Sequence, residues 1–117
     1  MIKTSKETIK EMINAIDDKK GQETKVLDLK GISNFTDYFV IAHGTSNRQV
    51  KAIADEIEEK LESMGIFVNH KEGHNEGKWI LLDYIDIVVH VFVEEERYFY
   101  NIERAWKDAE FIDADSL

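Results

Sequence analysis

Lys78-Trp79-Ile80-Leu81-Leu82-Asp83-Tyr84-Ile85-Asp86-Ile87-Val88-Val89-His90-Val91-Phe92 decides how the rest of this chain is read. The stretch is too apolar and β-branched for a loop. It reads as two strands, over residues 78–84 and 87–93, joined by the short link Ile85-Asp86. Two aspartates, a tyrosine and a histidine nevertheless sit inside it. A polar group buried without a partner costs on the order of 1–3 kcal/mol, so these groups are paired either within the fold or by another molecule. Alternation sorts the first strand: Trp79, Leu81 and Asp83 point one way, and Ile80, Leu82 and Tyr84 the other. The second set is apolar enough to lie beneath helices. The first combines a tryptophan, a leucine and a carboxylate, the mixture expected at the centre of an interface, although packing under a helix explains Trp79 alone equally well.

Three amphipathic helices surround this hairpin. In the first, Ile9, Met12, Ile13 and Ile16 follow helical spacing, Thr4 and Glu7 stand at capping-box distance, and Gly21 marks the stop. The second is predicted over residues 46–64, with Val50, Ile53, Ala54, Ile57, Leu61 and Met64 on one stripe, Ser46 and Gln49 at its start and Gly65 at its end. The third carries the stripe Phe99, Ile102, Trp106 and Ala109, with Glu94, Glu95 and Glu96 at its positive end. Further strands are predicted over residues 23–28, 38–43 and 66–71, and Gly73 to Gly77 reads as a turn. The expected order is α-β-β-α-β-β-β-α: an α/β fold whose mixed five-stranded sheet is covered by helices. One domain is expected over residues 1–112, followed by a flexible tail over 113–117.

Composition narrows the function. A chain of 117 residues with 43% hydrophobic and 33% charged residues fits one soluble domain. The absence of cysteine removes disulfides and thiolate metal ligands. No apolar run approaches the roughly 20 residues of a membrane span, and the start lacks a signal-peptide pattern, so a cytoplasmic protein without a membrane partner is expected. The net charge of −9 opposes binding to bare nucleic acid and favours a basic partner, although plain solubility also accounts for acidity.

Several motifs invite chemistry and are weak. His70, Glu72 and His74 alternate like metal ligands, but the turn at Gly73 breaks the strand between them. Gly44-Thr45-Ser46-Asn47-Arg48 enters a helix as phosphate loops do, with one glycine where a P-loop needs more. Asp83 and Asp86 suggest a magnesium-binding pair, yet residues three apart on a strand diverge and no third acid is evident. His43 and His90 lie in apolar strands, where a satisfied core histidine is the commoner case. No catalytic site, cofactor or metal site is therefore assigned.

The segments Asp37 to Ile41, Gly44 to Asp55, Gly73 to Gly77 with Trp79 to Tyr84, and Val88 to Phe92 resemble the ribosomal silencing factor family, also called Iojap-like. Arg97-Tyr98-Phe99-Tyr100 through Trp106-Lys107-Asp108-Ala109 resembles the closing helix of that family, and Ile85 stands where many members carry glycine. The resemblance implies a nucleotidyltransferase-like fold without the catalytic acids of those enzymes. It also implies a repressor that binds the large ribosomal subunit through its basic protein fourteen and blocks joining of the small subunit when nutrients are scarce. Members are seen as dimers, so a homodimer is a further expectation. Combining the resemblance with strand alternation places the partner contacts at Trp79, Leu81, Asp83 and Tyr84, with Asp86 and His90 beside them and Arg97 and Tyr100 extending the surface. An enzyme using Asp83 and Asp86, or a dimerisation module with Trp79 between two copies, are the competing readings.

Overall fold

The computed structural model describes residues 4–113. Its elements are α1 (Ser5–Asp18), β1 (Gln22–Asp28), β2 (Tyr38–Gly44), α2 (Asn47–Glu62), β3 (His70–Glu72), β4 (Trp79–Asp83), β5 (Ile87–Val93), α3 (Glu94–Tyr100), α4 (Ile102–Ala105) and β6 (Glu110–Ile112). The strands form a mixed α/β sheet in the order β3-β4-β5-β2-β1-β6. Within it β2 and β5 pair in parallel and every other neighbouring pair is antiparallel.

The sheet has six strands rather than the expected five. Val26, Leu27 and Asp28 of β1 accept a short edge strand, β6, that follows the last helix. The single closing helix is also divided. Asn101 adopts the left-handed conformation (φ 46°, ψ 57°) between α3 and α4, a state that asparagine tolerates better than most residues. Phe99 consequently leaves the expected stripe and is 80% exposed, while Ile102, Trp106 and Ala109 still face the protein. The third strand shortens to His70–Glu72. Ile66 and Val68 before it pack on the core, and the ladder begins where the Asn69 amide donates to Asp83 O at 2.8 Å.

The other expected elements form for the anticipated reasons. Thr4 Oγ1 accepts from the Glu7 amide and Ser46 Oγ from the Gln49 amide, each at 3.1 Å, satisfying donors that a helix start leaves free. Gly65, at φ 79°, ends α2 in the left-handed region. The β4–β5 link is more strained. Ile85 occupies φ 75°, which a β-branched side chain seldom adopts. The turn is held because Asp83 Oδ1 accepts from the Ile85 amide at 2.7 Å and the Tyr84 amide donates to Ile87 O at 2.8 Å.

Alternation gives the sheet two different faces. Val40 and Ala42 of β2, Ile80 and Leu82 of β4 and Val89 and Val91 of β5 are buried against Ile9, Met12 and Ile16 of α1 and Val50, Ile53 and Ile57 of α2. The opposite face carries a smaller core of Leu27, Leu29, Ile41, Phe92 and Ala109, against which Phe39, Trp79, Ile102 and Trp106 are partly buried.

Candidate docking face

On β4, Trp79, Leu81 and Asp83 all lie on the face opposite α1 and α2, as their alternation predicts, and each is half-buried. Register sets Trp79 across from Phe92 and Leu81 across from His90. The indole stacks on Phe92 at 4.9 Å between centroids and meets Tyr100 at the same distance with the rings tilted by 45°. Its Nε1–H donates to His90 Nδ1 at 3.1 Å. The sequence left open whether the polar groups of this hairpin were paired internally. For Trp79 and half of His90 they are.

That bond also determines the tautomer of His90. An Nδ1 that accepts carries no proton, so the neutral ring has its hydrogen on Nε2. The imidazole is 4% exposed and burial pushes its pKa down to about 4, so it is neutral at physiological pH. Phe39 lies edge-on to it at 4.5 Å, and Nε2 is buried without a hydrogen-bond partner.

Two hollows flank Leu81. One, of about 250 Å³, is lined by Glu72, Gly73, Trp79 and Leu81. The other, of about 210 Å³, is largely apolar; Phe35, Phe39, Leu81, Val88 and Trp106 wall it beside Asp83 and His90. Phe35 is 92% exposed at its rim. No periodicity marks Phe35 in the sequence, because it belongs to the β1–β2 connection, where Ser33 Oγ accepts its amide at 3.1 Å. The signal that finds it is an aromatic residue immediately before the Thr36-Asp37 entry to a strand, and that signal is weak.

The remaining expected contacts divide. Tyr100 is half-exposed beside Trp79. Tyr84 lies on the helix-covered side, packed on the main core, and burial together with Glu58 and Glu62 pushes its phenol pKa well up. Asp86 is exposed, and its main-chain oxygen accepts from the amides of Asp37 and Tyr38, so it orders the turn beside the face. Arg97 is the clear correction. It is 3% exposed, and its guanidinium bonds inward to Glu103 and His43 rather than outward to a partner.

The other motifs are occupied by the fold. His70 pairs with Glu72 at 2.9 Å and His74 with Asp55 of α2 at 2.8 Å, so the alternating trio is pulled apart. Among the described residues, no three or more His, Cys, Asp or Glu side chains are grouped to hold a metal ion. The strand-to-helix loop is filled by Gln49. Its Oε1 accepts from the Thr45 amide at 2.7 Å, and its Nε2 donates to the carbonyls of Lys19 and Lys20 at the end of α1. Asp83 Oδ1 is engaged by the Ile85 amide at 2.7 Å, and Asp86 is exposed just beyond it in the turn.

Over residues 2–117 the chain matches the family described as "Ribosomal silencing factor during starvation". It is 48% identical over 101 residues to a ribosomal silencing factor of Bacillus subtilis, covering 86% of each protein. A solved structure from Chromobacterium violaceum superposes with a TM-score of 0.87 at 37% identity, covering 90% of this chain and 88% of that one. A mouse protein named for mitochondrial assembly of the ribosomal large subunit is 24% identical over 105 residues, covering 87% of this chain and 46% of that protein. No helix among the described residues is long and apolar enough to cross a membrane.

Proposed function

This chain belongs to the ribosomal silencing factor family, and we propose that it represses translation by docking its Trp79 face on the basic protein fourteen of the large ribosomal subunit, so that the small subunit cannot join. The observation that supports this most is the half-buried set Trp79, Leu81 and Asp83, bordered by an exposed aromatic on each side, Phe35 and Tyr100. Interfaces concentrate their energy in aromatic anchors set in such partly desolvated surroundings. The net charge of −9 steers the protein toward a basic partner and away from surrounding RNA phosphates. Repression of this kind is non-catalytic: occupancy and bulk suffice. The mouse relative, named for the ribosomal large subunit, agrees in direction. Action in the cytoplasm under nutrient limitation belongs to the same proposal.

A subunit-joining assay tests it. Wild-type protein added to separated ribosomal subunits should suppress joining, and a Trp79→Ala, Asp83→Asn variant should not. Asparagine is chosen because its Oδ1 still accepts from the Ile85 amide, so the charge is removed while the turn is kept. Suppression by the folded variant equal to wild type would refute the placement. No observation favours the nucleotidyltransferase alternative, and one oxygen of Asp83 is already committed to the Ile85 amide in the turn.

A further inference from the structure

Arg97 carries a full positive charge into the protein interior, and its partners come from three other elements. Nε and Nη2 donate to the two carboxylate oxygens of Glu103 in α4 at 2.9 and 3.2 Å, a bidentate fork. Nη1 donates to His43 Nδ1 of β2 at 2.9 Å and to the Gln22 carbonyl of β1 at 3.4 Å. His43 is fully buried, and burial together with the adjacent guanidinium lowers its pKa, which keeps Nδ1 free to accept. Its Nε2 lies 3.3 Å from Glu94 Oε2, at the first residue of α3. Glu23, whose Oε2 lies 3.9 Å from His43 Nδ1, accepts from the Tyr98 hydroxyl at 3.0 Å.

This network sits where the backbone has least hold of its own. α3 has 7 residues and α4 has 4, lengths that helical hydrogen bonding does not stabilise by itself, and the left-handed Asn101 separates them. Tertiary contacts must fix their angle, and Arg97 bridges the kink to Glu103 while holding α3 on the sheet. The same two helices lead to opposite borders of the docking face. α3 ends in Tyr100, against Trp79 at 4.9 Å, and α4 leads into Trp106, edge-on to Phe39 at 5.7 Å.

We propose that Arg97, anchored on His43 and Glu103, is the positioning residue of the docking face: it sets Tyr100 against Trp79 and Trp106 against Phe39, and the face binds its basic partner tightly only while this joint is closed. The inference rests on the docking-face reading above. It gives the buried arginine a task that neither helix accomplishes alone.

The test is a binding titration of the full chain against salt-washed large ribosomal subunits, run beside thermal unfolding. Arg97→Met keeps the stem volume and removes the fork. It leaves Glu103, at 23% side-chain exposure, within reach of water. Affinity is expected to fall by roughly tenfold or more in the folded variant, with part restored by Arg97→Lys. An arginine that merely stabilised the fold would give binding losses additive with those of Tyr100→Ala. A positioning arginine makes them non-additive, so that Tyr100→Ala costs little more once Arg97 is Met. Should Arg97→Met not fold, Glu103→Gln, which weakens the fork from its partly exposed side, is put through the same cycle. Additive losses, or wild-type affinity in a folded fork variant, overturn the joint. Loss of binding in Trp79→Ala alongside wild-type affinity in Arg97→Met removes the joint and leaves the docking face standing. Wild-type affinity in both removes the docking face as well.

Discussion

The two faces of this sheet use the same strands for opposite ends. Beneath α1 and α2, Val40, Ala42, Ile80, Leu82, Val89 and Val91 form a continuous apolar layer of fully buried side chains. On the other face the same strands present Phe39, Trp79, Leu81, Asp83, Val88 and His90, and the short C-terminal helices cover only part of them. The first face is closed over this apolar layer, and at its edge the Tyr84 hydroxyl is buried without a hydrogen-bond partner. The second is left partly covered, with Trp79, Leu81 and Asp83 half-buried and Phe35 and Tyr100 in solvent at its borders. A protein departs from local consistency of this kind mainly at functional sites. On the docking proposal, the difference separates residues held for stability from residues held for a partner.

Adjacent leucines on β4 give the sharpest contrast. Leu82→Ala, on the closed face, should cost about 2–5 kcal/mol of stability, because its fully buried side chain leaves a cavity. Leu81→Ala, on the open face, should cost about 1 kcal/mol and yet weaken binding to the large subunit, since its side chain is only half-buried. Denaturant unfolding and subunit binding measured on both would break the comparison if Leu82→Ala proved the milder change in stability, or the more severe in binding when folded.

Protonation should distinguish the faces next. His90 is neutral in the folded chain with a pKa of about 4, against about 6.5 when unfolded. Below pH 6.5 the unfolded chain takes up a proton that the folded chain refuses. Stability is therefore intact above that pH and falls as pH drops toward 4, by on the order of 3 kcal/mol for this residue. His43, whose pKa is also lowered, adds a loss of the same sign. His90→Phe should remove the His90 part, which urea unfolding between pH 4 and 7 would show as a shallower slope. An unchanged slope contradicts the buried neutral imidazole.

The turn between β4 and β5 should yield a smaller effect. Ile85→Gly relieves the left-handed strain of a β-branched residue and should raise stability by about 1 kcal/mol, reduced by the extra freedom of glycine in the unfolded chain. Destabilisation would show that the exposed Ile85 side chain contributes more than its backbone costs. Smallest of all, Phe35→Ala should change stability by less than about 0.5 kcal/mol, because the ring is 92% exposed, and should register only in partner binding. A larger loss of stability would place Phe35 in the fold rather than at the rim.

Much of the closed face was legible because periodicity and caps agree there. Thr4, Ser46 and Gly65 all act as their positions suggest, and the apolar stripes of α1 and α2 are buried. Alternation likewise separated Trp79, Leu81 and Asp83 from Ile80 and Leu82. The C-terminal region was misread for a physical reason. Its helical stripe is real from Ile102 onward, but the left-handed Asn101 divides it, and the bonds that hold α3 on the sheet, Arg97 to His43 and to Gln22, join residues far apart in sequence. For the same reason Arg97 looked like a surface cation. Nothing local reveals that its counter-charge is Glu103 across a turn, or that β1 has an edge free for β6.

On the docking proposal it is the open face, and not the closed one, that meets the ribosome. Co-sedimentation of the full chain with salt-washed large ribosomal subunits, compared between wild type and the Trp79→Ala, Asp83→Asn variant, tests it most directly. Wild-type protein should pellet with the subunits while the folded variant stays in the supernatant. Equal pelleting of the two would contradict it.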